Sequence, residues 1–246
     1  MRDLVVRTTA LNFIEGGVGW LLDEPTEKLG LFWGEPGYGK TTSIKLICSQ
    51  FKGIYLEAIQ GWSPYHFINH LLKVASGEKS RSFAGALEGA IDYLQSSRRP
   101  VFIDECERLL GRIDLVEAIR VLHDQGNVPV ILVGMTGSYQ RVLQYPLFFD
   151  RFRFLGEVPK ASLEDIEEIS RLCDVEFSSD ILTAIYWDQR IGCNCRRIAW
   201  ALGRIEKFAF TKDLATVTLG DWGDRSFLPE FSTGNNAKIL PLARGV

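Results

Sequence analysis

An α/β fold, a parallel sheet flanked by helices and followed by a small all-α lid, is predicted by three observations on the 246-residue chain. A glycine-rich stretch, Gly34-Glu35-Pro36-Gly37-Tyr38-Gly39-Lys40-Thr41-Thr42, separates an apolar run from a segment of helical spacing. Two more apolar runs, Val101 to Ile103 and Pro129 to Gly134, have the continuous hydrophobicity of strands buried on both faces. From Ala161 onward the periodicity is helical only. The chain divides accordingly into an α/β core (1–158), a helical lid (159–212) and a C-terminal tail (213–246).

Size and composition fit that division. With 46% hydrophobic and 24% charged residues the chain can bury a core without staples. No apolar run approaches the roughly 20 residues of a membrane span, and Asp3 and Glu15 among the first apolar residues break a signal-peptide layout, so a cytoplasmic protein without a membrane partner is expected. The cysteines (48, 106, 173, 193 and 195) are odd in number and lack C-x-x-C spacing, which reads as reduced thiols, with Cys193 and Cys195 as small buried hydrophobes. A net charge of −3 leaves any DNA contact to a local basic patch or to repetition in an oligomer.

In chain order, Met1 to Lys28 carries Leu4, Val5, Leu11, Ile14, Val18 and Leu21 and reads as an ordered lead-in forming one wall of a nucleotide pocket. Leu29 to Trp33 is a strand and Ser43 to Phe51 a helix. The stretch between them fits G-x-x-x-x-G-K-[ST]. Glycines there let successive N–H groups turn toward phosphate oxygens, and the following helix aims its positive end at the same place. Lys40 would neutralise the β- and γ-phosphates of a nucleotide, and Thr41 would give a hydroxyl to Mg²⁺. Gly53 to Ala58 is a second strand. Ser63-Pro64 opens a helix with Phe67, Ile68, Leu71 and Leu72 on one face. The polar, basic Ser76 to Ser82 links it to a helix from Phe83 to Leu94. Lys73, Lys79 and Arg81 around this link are the candidate DNA contacts, on phosphates rather than bases; a solvated connection between two surface helices fits the same residues.

Val101-Phe102-Ile103 ends in Asp104-Glu105, two carboxylates at the edge where open α/β sheets bind ligands. Asp104 would hold Mg²⁺ and Glu105 would polarise the attacking water, although acidic residues also favour helix starts. Ile113 to Asp124 is an amphipathic helix. Thr136, just past the strand Pro129 to Gly134, either reaches the γ-phosphate side or caps a helix around Ser138 to Leu143. Phe148 to Phe154 alternates aromatics with charges, setting Arg151 and Arg153 among apolar neighbours as at an interface, and leads into a short strand ending at Val158. In the lid, Ser162 with Asp165 forms a capping-box-like start to a helix reaching Leu172; Ser178 to Trp187 and Asn194 to Phe208 are two more. Residues after Lys212 lack periodicity and read as a loosely held tail, with Ile239 to Leu242 as a partner-binding segment.

With GEPGYGKTT, FIDECERLL followed by a helix and VPVILVGMTG, FFDRFRF, and GCNCRRIAWAL in place, the chain from Leu4 to Phe208 resembles an AAA+ ATPase of the P-loop NTPase class. More narrowly it is similar to the transposition regulators of the MuB, TnsC and TniB kind. The resemblance implies that Thr136 takes the sensor-one role, that Arg196 contacts the γ-phosphate from the lid, and that Arg151, or secondarily Arg153, is a finger reaching a neighbouring subunit's ATP. It implies ATP and Mg²⁺ as cofactors, a ring or helical filament of identical subunits on double-stranded DNA, and a transposase as partner, with hydrolysis driving disassembly. MuB has an additional N-terminal DNA-binding domain for which the residues before Gly34 leave no room, and the compact length is closer to TnsC and TniB. Two other readings keep the core: a helicase-loader or initiator-like AAA+ protein acting on a replication protein, and a nucleotide-gated scaffold with negligible hydrolysis.

Overall fold

The structure, a computed structural model, describes residues 6–24 and 28–229; Leu4, Val5 and the segment Ile239 to Leu242 lie outside them. A five-stranded parallel sheet runs in the order β2-β3-β4-β1-β5, with β1 Leu29–Trp33, β2 Ile54–Glu57, β3 Val101–Asp104, β4 Val130–Gly134 and β5 Phe152–Glu157. The central strand β1 pairs with β4 on one side (Leu29 opposite Val130) and with β5 on the other (Leu29 opposite Phe152). Strands β1 to β4 match runs read from the sequence to within a residue or two, whereas β5 starts at Phe152, inside the Phe148 to Phe154 stretch expected to lead into it.

Strand alternation divides the core into two layers. Leu29, Leu31, Val101, Ile103, Val130 and Leu132 face helices α3 (Pro64–Ser76), α4 (Phe83–Ser97) and α5 (Ile113–Gly126). Phe32, Phe102, Ile131 and Val133 face the other way, onto α1 (Thr9–Asp23) and α2 (Lys40–Gln50). The period of two in a strand sends neighbours to opposite faces, which is why each strand is apolar throughout. The lead-in is therefore α1, started by Thr8 accepting from the Leu11 N–H. Its Ile14, Val18 and Leu21 are fully buried, each contributing about 1.5–3 kcal/mol.

The basic link between α3 and α4 does not project. The Tyr65 hydroxyl donates to the Ser80 carbonyl (2.8 Å) and the Ser80 N–H donates to Asn69 Oδ1 (2.9 Å). The link thus folds back along α3, and Phe83 opens α4 beside Pro64 and Tyr65 of the first turn of α3. Lys73, Lys79 and Arg81 are exposed on this face.

Beyond β4 the chain makes two short helices, α6 (Ser138–Val142) and α7 (Pro146–Phe149), before β5. The lid follows with α8 (Leu163–Ser170), α9 (Ser179–Trp187) and α10 (Cys195–Lys212) around its own apolar centre, where Ile166, Ile181, Ile185, Ile198 and Leu202 are buried. Ser162 and Asp165 form the capping box expected of them. Asp165 does more: its Oδ1 accepts from the Thr9 N–H at 2.7 Å while Oδ2 accepts from the Ser162 N–H at 3.0 Å, so one 4%-exposed carboxylate serves helix starts in both core and lid.

Two expectations need correction. The lid is not wholly helical, because β6 (Glu176–Phe177) pairs in parallel with β7 (Thr216–Val217). The stretch after Lys212 is not loose as far as residue 229: β7 and α11 (Leu219–Trp222) bring Val217, Trp222 and Phe227 into the lid centre. Trp222 and Phe227 stack at 6.1 Å with planes 1° apart. Elements of two and four residues are too short to register as a period, which is why the sequence hid them. Among the described residues no helix is long and apolar enough to cross a membrane.

Candidate functional site

Five parallel strands end at one edge, and a cleft of about 450 Å³ lies there. The loop 34–39 leaves the end of β1 and feeds α2. Gly37 and Gly39 both have φ of +87°, a conformation that costs a residue with a side chain roughly 1–2 kcal/mol. Lys40 opens α2, and its ammonium donates to the carbonyls of Gly34 (2.6 Å) and Glu35 (2.9 Å). Burial lowers the Lys40 pKa, opposed by the charges of Asp104, Glu107, Glu105 and Glu35. Pro36, Gly37, Gly39, Lys40, Thr41 and Thr42 all border the cleft.

The opposite wall comes from the end of β3. Asp104 is 3% exposed; its Oδ2 accepts from the Tyr55 hydroxyl at 3.0 Å and its Oδ1 from the Glu105 N–H at 2.9 Å. Both oxygens are thereby fixed in direction. Glu105 takes a left-handed backbone (φ 55°) that turns its carboxylate into the cleft, a strain of the kind that collects at working sites. Arg108 stands 3.3 Å from Glu105 Oε2 and donates to the Ala58 carbonyl at 2.7 Å, tying this turn to β2. Glu107, which the sequence reading passed over, also lines the cleft, and its Oε2 accepts from the Met135 N–H at 3.2 Å. Burial raises the Glu105 pKa, and the hydrogen bond and negative charge of Glu107 raise it further, against Arg108.

Thr136 stands where β4 ends but does not itself border the cleft; its hydroxyl donates to Glu35 Oε1 at 2.8 Å, joining the two loops. Nor does it cap α6, whose N-cap is Gly137. Glu35 is thus turned to Thr136, while Tyr38 packs toward α1 and α2. From the lid, Cys195 and Arg196 at the start of α10 close the cleft. Arg196 is exposed, and among the described residues its guanidinium has no hydrogen bond or ion pair. Cys193 is buried in the lid as expected, whereas Cys195 borders the cleft, its thiol pushed up to about 11 by burial and then by Asp165.

Arg151 is not brought to this cleft. It precedes β5, whose first residue pairs with Leu29 at the far end of the sheet, so a strand length of roughly 15 Å separates it from the strand ends. There its Nε donates to both oxygens of Asp124 (2.8 and 3.0 Å) and its Nη1 to the Leu147 carbonyl. Asp124 also accepts from Arg120 at 3.2 Å and meets His123 Nδ1 at 3.0 Å, while His123 Nε2 accepts from the Lys28 N–H at 3.1 Å. Arg153 lies exposed on β5 and donates to the Asp150 carbonyl at 3.0 Å. Lys73, Lys79 and Arg81 sit on the α3 face, apart from the cleft.

Comparison with known proteins agrees with this architecture. Residues 24–143 match the family described as AAA domain. A Staphylococcus aureus protein described as a potential ATP-binding protein is 28% identical over 69 residues, covering 28% of this chain and 25% of that one. Among solved structures, the Aeropyrum pernix ORC2 protein in its ADPNP-ADP complexes superposes with a TM-score of 0.65 at 15% identity, over 89% of this chain and 66% of the other. Cdc6p from Pyrobaculum aerophilum gives 0.62 at 16% identity, over 90% and 68%. The Aeropyrum pernix ORC1 protein in complex with DNA gives 0.60 at 15% identity, over 86% and 63%. The chain spans about two thirds of these structures and a quarter of the curated relative. It has the AAA+ P-loop ATPase fold.

The cleft electrostatics have a direct test. Removing the Glu107 charge with Glu107→Gln leaves the effect of burial but takes away one of the influences that disfavour the ionised Glu105, so the Glu105 carboxyl should titrate at lower pH than in the wild type, read from its ¹³C chemical shift. A midpoint that stays or rises would remove Glu107 as a cause.

Proposed function

We propose, from the premise of this AAA+ ATPase fold, that the protein is a Mg²⁺-dependent ATPase that assembles with ATP on duplex DNA, selects or marks target DNA, and recruits or stimulates a transposase. Hydrolysis then drives disassembly. The observation that carries the nucleotide reading is the meeting of Lys40, Thr41, Asp104, Glu105 and Arg196, from three separate stretches of chain, around one cleft.

In this reading the N–H groups of the 34–40 loop and the positive end of α2 hold the phosphates, and Lys40 moves from its carbonyl partners onto the β- and γ-phosphates. The donor set fits Mg²⁺: a Thr41 hydroxyl and an oriented Asp104 carboxylate on the cleft, with no three-residue acidic, His or Cys cage among the described residues. Two protein oxygens suit a cation that keeps waters and phosphate oxygens as its other ligands. When bound, the cation neutralises phosphate charge. Glu105 orients the attacking water and takes its proton; a carboxyl with a raised pKa is the better base for that task. Thr136 positions the loop on the γ-phosphate side, and Arg196 reaches the γ-phosphate from the lid. Arg151, far along β5 from its own cleft, acts as a finger only on a neighbour's, which makes the ATP site shared.

The DNA part rests on exposed Lys73, Lys79 and Arg81 and on the likeness to an ORC1 protein solved in complex with DNA. Each subunit contributes few phosphate contacts, so affinity comes from repetition and falls steeply with salt. The transposase part rests on the sequence resemblance around Asp104 and Val130. The likeness to ORC and Cdc6 structures favours a second reading, an initiator-like or helicase-loading protein acting on a replication protein.

Arg151→Ala should bind ATP yet lose about 10³ to 10⁵ in turnover, and Glu105→Gln should bind ATP and stop hydrolysis. Mixing the two should restore turnover, because each supplies what the other lacks; full turnover by Arg151→Ala alone, or no recovery on mixing, removes Arg151 as a finger in trans. Lys79→Ala with Arg81→Ala should weaken duplex binding and flatten its salt dependence, measured by fluorescence anisotropy. Unchanged affinity and slope would place the DNA contact elsewhere.

A further inference from the structure

The first residue before α10 holds two elements with one amide. Asn194 is the N-cap of this 18-residue helix, its Oδ1 accepting from the Arg197 N–H at 3.2 Å. The other end of the same group, Nδ2, donates to the Pro36 carbonyl of the phosphate loop at 2.6 Å. Two residues on, the Arg196 N–H points at the Gly37 carbonyl from 3.4 Å. The fit is close enough to constrain the loop: a Cβ on Gly37 would lie 2.4 Å from Asn194 Oδ1 and 2.5 Å from Nδ2. Gly37 is therefore required twice, once for its φ of +87° and once to seat the Asn194 side chain.

We infer that Asn194 is a positioning residue: it ties the start of the lid helix to the phosphate loop and so sets where Arg196 stands over the cleft. This inference rests on the nucleotide reading of that cleft. The chemistry needs an amide. Serine or aspartate at an N-cap accepts from the helix N–H groups equally well, but serine is too short to reach Pro36 and aspartate has no hydrogen to donate to a carbonyl. A phosphate that reorganises the 34–39 loop moves the Pro36 carbonyl, and the tie transmits that movement to α10 and Arg196. The phosphate loop is then coupled to the placement of Arg196 through this single hydrogen bond.

The test is a double-mutant cycle on ATP-analogue affinity using wild type, Asn194→Ser, Arg196→Ala and the double variant. Asn194→Ser keeps the cap and should melt with the wild type, yet bind a fluorescent ATP analogue roughly tenfold more weakly, the worth of one hydrogen bond. In the Arg196→Ala background the same change should cost little more, because Asn194 acts through Arg196. Wild-type affinity in Asn194→Ser, or losses that simply add in the double variant, would overturn the inference. Asn194→Asp, with a strong cap and no donor, must behave as Asn194→Ser does, and binding like the wild type would overturn it too. If the wild type itself failed to bind the analogue, the nucleotide reading would fall. Amide hydrogen exchange on the nucleotide-free proteins would still decide the tie: faster exchange in Asn194→Ser at Arg196, whose N–H donates to the Gly37 carbonyl, sustains it, and unchanged exchange removes it.

Discussion

Everything at the cleft depends on strand direction. Because all five strands are parallel, the ends of β1, β3 and β4 fall on one edge, and the residues that follow them meet without any long-range loop having to reach across the molecule. The same constraint fixes what cannot meet. Arg151 precedes β5 and is held at the opposite edge, paired with Asp124. A single fold thus presents an acceptor site at one edge and a buttressed arginine at the other. In the proposed reading that arginine serves the cleft of a second subunit, which is the physical basis for reading the protein as an assembly.

The cleft is electrostatically unbalanced in a way that suits a triphosphate with a cation. Asp104, Glu105 and Glu107 face Lys40 and Arg196, and the ammonium of Lys40 is already shared between two carbonyls. Partial positive charge from the N-terminal ends of α2 and α10 adds to one side of the cleft, while the acids crowd the side that the proposed cation and attacking water would occupy. Glu107 sharpens the division. It presses the Glu105 proton affinity upward and, through the Met135 N–H, links that carboxylate to the loop carrying Thr136. Thr136 in turn binds Glu35 of the phosphate loop, so the loops after β1, β3 and β4 form one hydrogen-bonded unit.

Most of this was legible in the sequence, and the exceptions are instructive. The strands were readable because burial on both faces makes them continuously apolar, as at Val101 to Ile103 and Val130 to Gly134. Lys40, Thr41, Asp104 and Glu105 were readable as residue types that phosphate and metal chemistry demand, Arg196 only through the family resemblance, and the cleft gathers all five. What was hidden consists of pairings between distant segments. Asn194 looked like a helix cap, and nothing local announces its bond to Pro36, 158 residues away. Asp165 looked like half of a capping box, with no hint that it also holds Thr9. The Arg151 partner Asp124 lies across strand β4 and two short helices, and β6, β7 and α11 are too brief to leave a period. Local signals specify elements; the contacts that join lid to core are set only once the layers are packed.

If the ATP site borrows a neighbour's arginine, as proposed, ATP and DNA together should assemble this protein. Electron microscopy of the purified chain with duplex DNA, comparing ATP, ADP and a slowly hydrolysed analogue at low and physiological salt, makes that assembly visible. Rings or helical filaments should form that require both ATP or its analogue and DNA, and that thin out as salt rises, with the α7–β5 junction of one subunit against the cleft of the next. Particles that remain monomeric under all conditions, or that assemble equally with ADP and without DNA, would contradict it.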